Sequence, residues 1–156
     1  MGLAHSRKSA AELKLKCFVP FRLNRLATAV SEYLSEIYSD RFGLEISEWR
    51  VLVTVGRRRD CTAQRIAAST RMHKTRVSRA VASLTRRKLI ERAVSASDGR
   101  EMPLYLTAAG RRLYDELVPL ALERERLLLS CLDERQRRAF IEALAGLEES
   151  LGLTGE

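Results

Sequence analysis

The stretch HKTRVSRAVASLTRRKL, His73 to Leu89, decides the fold. With successive residues about 100° apart, as in an α-helix, Val77, Ala80, Val81 and Leu84 fall on one stripe. Thr75, Arg79, Ala82 and Arg86 fall near the opposite pole, with Arg76 and Ser83 beside them. The apolar stripe needs a core behind it, whereas a face of guanidinium groups and hydroxyls suits an anionic surface.

Working outward, TAQRIAAST (Thr62 to Thr70) reads as a shorter helix with Thr62 as its N-cap and Ile66 and Ala67 towards the core. On the other side, LIERAVS and MPLYLT read as two strands around the turn ASDGRE. Ile90, Arg92 and Val94 alternate with Glu91, Ala93 and Ser95, and Leu104 and Leu106 alternate with Pro103 and Tyr105. Asp98-Gly99 is a hairpin signal, because Gly accepts positive φ at the tip. Helix, turn, helix and hairpin in this order make a winged helix-turn-helix. The expected fold class is mainly α with a small β-hairpin wing, a winged helix-turn-helix DNA-binding domain flanked by N- and C-terminal helices.

Charge supports that reading. The chain has 156 residues, 46% of them hydrophobic, enough for a buried core, and a formal net charge of +8. From Arg57 to Arg100 there are 13 basic and 3 acidic residues, against 15 basic and 17 acidic elsewhere. Basic charge favours an acidic partner such as nucleic acid or an anionic membrane surface; the positive excess lies wholly within the winged-helix candidate, and with that fold the expected partner is double-stranded DNA. Cys17, Cys61 and Cys131 stand far apart with only His5 and His73 to assist, so no metal site, cofactor or disulfide framework is expected. No apolar run has membrane-spanning length and Met1 to Lys16 carries charges throughout, so the expected location is cytoplasmic with no membrane partner. Without a Gly-rich phosphate loop, paired acids or a motif around either histidine, no catalytic residues are assigned and an enzyme is rejected.

Residues 1–11 are small and polar without periodicity and read as a flexible arm. A helical pattern starts at Glu12; Phe18, Phe21, Leu26, Val30, Tyr33, Leu34, Ile37, Tyr38 and Phe42 form its wide apolar stripe, Pro20 starts or kinks it, and Gly43 ends it. Ser47 is the expected N-cap of EWRVLVTVGRRR, whose Trp49, Leu52, Val53 and Gly56 face inward ahead of the cluster Arg57 to Arg59. Thr107 caps a long helix from Ala108 to about Cys131, with Leu113, Leu117, Leu120 and Leu127 on its stripe and Pro119 bending it. Asp133 with Gln136 resembles a capping box for a last helix carrying Phe140, Leu144, Leu147 and Leu151 at near-heptad spacing. The expected division is an arm at 1–11, an N-terminal dimerisation helix at 12–43, the winged helix at 46–107 and C-terminal dimerisation helices at 108–152. The end helices carry more apolar surface than one small domain covers, so a symmetric homodimer is expected. Such a dimer offers two recognition helices to a pseudo-palindromic operator with half-sites one DNA turn, about 10 bp, or a multiple apart.

Several segments in order resemble the MarR family of bacterial transcriptional regulators: FVPFRLNRLATAVS (Phe18 to Ser31), ISEWRVLVTV (Ile46 to Val55), TAQRIAAST, KTRVSRAVASL (Lys74 to Leu84), the wing with Asp98 and Arg100, and LTAAGRRLY (Leu106 to Tyr114). The resemblance implies that the end helices form the dimer interface and that the second winged-helix helix enters the major groove. It also implies that Arg100 is the wing arginine in the minor groove and Asp98 the acid that braces the tip. His73 departs from the family, which often has Asp there; it either faces a phosphate or marks an exposed helix start.

Thr75, Arg76 and Arg79 are the candidates for base edges, since they lie in the N-terminal half of the recognition helix and Arg bonds guanine bidentately. Lys74, Ser78, Arg86 and Arg87 are candidates for phosphates, the alternative for each basic residue, Arg87 and Lys88 above all, being a solvated charge. The family commonly binds a small anionic or aromatic effector and then releases DNA, which implies a repressor here. By that resemblance Phe21, Arg22, Arg25 and Trp49 line a site for an aromatic acid or its coenzyme A thioester; core packing for Phe21 and Trp49, and a solvated face for the two arginines, are the alternatives. Two further readings stand beside it. Cys17 could serve as an oxidation trigger, although Phe21 and Ser31 stand where related peroxide sensors have tyrosines. A non-specific nucleoid or RNA-binding protein would need only the basic charge.

Overall fold

Apolar periodicity and caps place the helices. The computed structural model describes residues 13–58, 61–93 and 102–153, so the arm at 1–11, Arg59, Val94, Ser95, Asp98, Gly99 and Arg100 lie outside the described residues. Two compact units divide the chain, Met1–Tyr33 and Leu34–Glu156.

In the first unit, Leu15–Cys17 make one 3-10 turn and α1 (Val19–Ser35) follows. The pattern read from Glu12 is therefore not one continuous helix. Pro20 is the second residue of α1, and a helix running through it from upstream would lack an N–H donor there. Pro20 starts the helix. Leu23 and Leu26 on α1, and Leu13, Leu15, Phe18 and Val19 ahead of it or at its start, are exposed.

In the second unit, the turn Glu36–Arg41 widens to π-helical geometry, and Gly43 at φ +59° ends it as expected. The corner closes on itself: the Gly43 N–H donates to the Ser39 carbonyl and the Leu44 N–H to the Tyr38 carbonyl, both at 2.8 Å, with Tyr38 and Leu44 buried. α2 (Ile46–Arg57) begins on Glu45, not on Ser47. Ser47 is buried within the first turn, and the Glu48 carboxylate reaches back to accept the Glu45 N–H at 2.9 Å, so the acids serve this terminus. On α2 Leu52 is buried as expected and Trp49 and Val53 pack partly buried against the core, while Val51 and Val55 are buried as well.

α3 (Ala63–Thr70) starts on Thr62, whose hydroxyl accepts the Arg65 N–H at 3.3 Å, and buries Ile66. α4 (Lys74–Arg86) buries Val77, Ala80, Val81 and Leu84, the four residues of the sequence stripe. Each large apolar side chain removed from water contributes about 1.5–3 kcal/mol, so this stripe holds α4 against α2 and α3. β1 (Ile90–Arg92) pairs antiparallel with β2 (Leu104–Leu106) in the register Ile90 to Leu106, and the Cys61 carbonyl accepts the Leu104 N–H at 2.7 Å. Ile90 and Leu104 are buried, and Glu91 and Arg92 are exposed.

α5 (Ala108–Leu128) is capped by Thr107, whose hydroxyl accepts the Gly110 N–H at 3.0 Å, and a 3-10 turn carries it through Cys131. A side chain at Gly110 would collide with the Leu89 carbonyl, so this glycine lets α5 approach the chain just before β1. α6 (Glu134–Ser150) starts on the Asp133–Gln136 capping box, with reciprocal bonds of 2.8 and 3.0 Å. Phe140, Ile141, Leu144 and Leu147 on α6 are exposed, as is Leu151 after it. No described helix is long and apolar enough to cross a membrane.

Candidate nucleic-acid interface

The interface candidate is the outer face of α4. His73 has extended backbone at the N-cap position, and its Nδ1 accepts the Thr75 N–H at 3.3 Å. The histidine therefore does the work of the side-chain oxygen that usually begins a helix. With Val77, Ala80, Val81 and Leu84 fixed in the core, rotation of α4 about its axis is set, and Lys74, Thr75, Arg76, Ser78, Arg79, Ala82 and Arg86 are all exposed.

Thr75, Arg76, Arg79, Ser83 and Arg86 form one wall of an open groove of about 750 Å³, opposite residues 45–48 at the start of α2. Three guanidinium groups thus share one concavity whose other wall carries Glu45 and Glu48, and their exposed donors suit phosphate oxygens and acceptor-rich base edges. Lys74 and Ser78 lie on the exposed face outside the groove lining. Arg86 reaches Ser83 Oγ at 3.5 Å, the long limit of a hydrogen bond. Asp98 and Arg100, the wing residues, lie outside the described residues.

Arg87, exposed at the end of α4, has partners of its own within the fold. Its guanidinium donates to the carbonyls of Phe42 and Gly43, both at 2.9 Å, and lies 3.5 Å from the Glu48 carboxylate. In a basic run such as TRRKL this role looks no different from its neighbours', because the acceptors lie far away in the sequence. Glu48 was also hidden: an acid three residues after Glu45, ahead of an apolar run, is the available signal, and the better cap propensity of Ser47 overrides it.

The expected effector residues fall in both units. In the first, the Arg25 guanidinium carbon lies 5.8 Å from the Phe21 ring centroid, within cation–π range, and Arg22 and Arg25 border a shallow groove along α1 with Leu23 and Leu26. In the second, Trp49 stacks on the buried Tyr38 ring, with centroids 6.0 Å apart and planes 5° from parallel. Burial raises the Tyr38 pKa above its ordinary 10.0, with Arg50 working the other way. Cys17 and Cys131 are exposed, whereas Cys61 is fully buried. Among the described residues no group of three or more His, Cys, Asp or Glu could hold a metal ion.

Residues 42–101 match the model of the MarR family. The chain is similar in structure to a MarR/EmrR family transcriptional regulator from Acinetobacter sp. ADP1, at 28% identity and a TM-score of 0.81, over 90% of this chain and 99% of that one. It shares its fold with S. aureus MepR in complex with DNA, at 22% identity and a TM-score of 0.76, over 86% of this chain and 98% of that one. It also shares the fold of Bordetella bronchiseptica BpsR, whose DNA binding is regulated by 6-hydroxynicotinic acid, at 22% identity and a TM-score of 0.75, over 83% of this chain and 98% of that one. No curated protein matches the chain in sequence.

Proposed function

We propose that this chain, whose residues 42–101 belong to the MarR family, is a transcriptional repressor that binds a pseudo-palindromic operator as a homodimer and releases it on binding a small aromatic acid or its coenzyme A thioester. The observation that carries the DNA reading is the two-sided α4, buried on Val77, Ala80, Val81 and Leu84 and open on Thr75, Arg76 and Arg79. Thr75, Arg76 and Arg79 read base edges, Lys74, Ser78 and Arg86 hold phosphates, and Asp98 and Arg100 serve the wing. The homodimer reading draws support from the exposed apolar residues of α1 and α6, which a second copy would cover. Residues 12–43 and 108–152 are then the dimerisation segments and 46–107 the DNA-binding domain. The effector reading draws support from Arg25 over Phe21, a pairing of positive charge and aromatic face suited to an aromatic carboxylate, and from the regulation of BpsR by such an acid. Arg22 and Trp49 are the other residues proposed for the effector.

Selection of duplexes from a random library, followed by sedimentation of the complex, tests this reading. Enrichment of an inverted repeat bound by two chains is the expected result. Equal recovery of all sequences would instead favour a non-specific nucleic-acid binder. Thermal-shift screening of aromatic acids and their coenzyme A thioesters tests the effector through ligand-linked stabilisation.

A further inference from the structure

Arg87 joins three parts of the fold that are distant in sequence. It is the C-cap of α4, its two bonds reach Phe42 and Gly43 in the corner that follows the Glu36–Arg41 turn, and its ion pair reaches Glu48 in the first turn of α2. The corner is itself fixed by the bonds of Gly43 to Ser39 and Leu44 to Tyr38, so Arg87 docks on a built surface. The Glu48 side chain is 7% exposed and holds the Glu45 N–H as well as facing Arg87. A carboxylate so enclosed needs its charge compensated, and the guanidinium supplies that compensation together with two directed bonds. The last buried residue within α4 is Leu84, so the final turn of the helix has Arg87 as its tie to the corner.

We infer that Arg87, through Glu48 and the Phe42–Gly43 carbonyls, is a positioning residue that sets the docking angle of α4 and thereby operator discrimination, without touching DNA. The inference rests on the proposed DNA reading. Two carbonyls and a carboxylate around one side chain need the planar, multi-donor guanidinium; a lysine keeps the charge but cannot make the same fork of bonds. A helix whose end swings loses aligned base contacts while its phosphate contacts, which tolerate small shifts, persist.

The test uses the full-length chain and its best-selected duplex, with a scrambled duplex as control, at two salt concentrations and at a temperature where circular dichroism shows each variant folded. The variants are Arg87→Lys, Glu48→Gln, their combination, and Arg87→Gln with Glu48→Gln, which removes both charges where a single change unfolds the chain. Arg87→Lys is expected to weaken binding to the selected duplex by about tenfold, to leave the scrambled duplex and the salt slope unchanged, and to cost less in the Glu48→Gln background. The charge-free pair is expected to show the same loss of discrimination. Equal losses on both duplexes, with a salt slope shallower by about one, would make Arg87 a phosphate ligand and overturn the inference. Wild-type discrimination in folded Arg87→Lys would overturn it too, leaving the DNA reading intact. A wild-type chain with no preferred duplex would overturn both.

Discussion

His73 Nδ1 accepts the Thr75 N–H at 3.3 Å, so α4 begins on an imidazole. The ring serves as acceptor only while Nδ1 carries no proton, and the bond is long. A short carboxylate at the same position accepts more directly and also faces the positive end of the helix dipole. His73→Asp is expected to raise stability by about 0.5–1 kcal/mol, read as a higher urea midpoint at unchanged slope. A lower midpoint would mean that the imidazole has packing partners worth more than the cap.

Lys88 sits at φ +56° directly after α4, with its N–H bonded to the Thr85 carbonyl at 2.9 Å and the Leu89 N–H to the Leu84 carbonyl at 2.9 Å. This is a left-handed helix stop held by a residue with a β-carbon. Lys88→Gly is expected to stabilise the fold by about 0.5–1 kcal/mol, the relief at positive φ exceeding the added freedom of the unfolded chain. Thermal unfolding checks it, and a fall in midpoint would show that the lysine stem contributes packing that outweighs the strain.

Cys61 is fully buried, and burial raises its thiol above the ordinary value of 9.0, with Arg58 and Arg65 opposing. A thiol with a raised folded-state pKa stabilises the protein fully below its unfolded value, and that contribution is lost as pH rises from about 9 through the folded value. Tyr38, raised by burial above 10.0, acts in the same direction at higher pH. Stability should therefore decline above pH 9, and less steeply in Cys61→Ala relative to its own neutral-pH value. In the native protein a thiol reagent should modify Cys61 only on unfolding. Rapid reaction of Cys61 in the folded protein would contradict the burial.

Arg79 and Arg86 share the groove on α4 but should behave differently on DNA. Arg79→Ala is expected to cost about 1–3 kcal/mol on the selected duplex and to blur preference at one base position. Arg86→Ala should weaken all sequences alike and flatten the salt slope by about one. Titrations on selected and scrambled duplexes separate the two, and equal losses on both for Arg79→Ala would remove it from base reading.

Local chemistry alone determined much of this protein. The stripe Val77, Ala80, Val81 and Leu84, the caps at Thr62 and Thr107 and the Asp133–Gln136 box involve residues three or four apart, or one residue and the turn it starts, so periodicity and propensity reveal them. Tertiary structure decided the rest. Ser47 has the better cap propensity, yet it is buried and the Glu45–Glu48 pair serves the helix start. Trp49 stacks on Tyr38, a contact that the spacing of the two rings along the chain does not imply. Arg87 stands in a run of basic residues, and only folding brings the carbonyls of Phe42 and Gly43 and the carboxylate of Glu48 to it. The physical reason is range: side-chain period and caps act within one turn, whereas a charge's partner across more than 40 residues depends on how the helices pack.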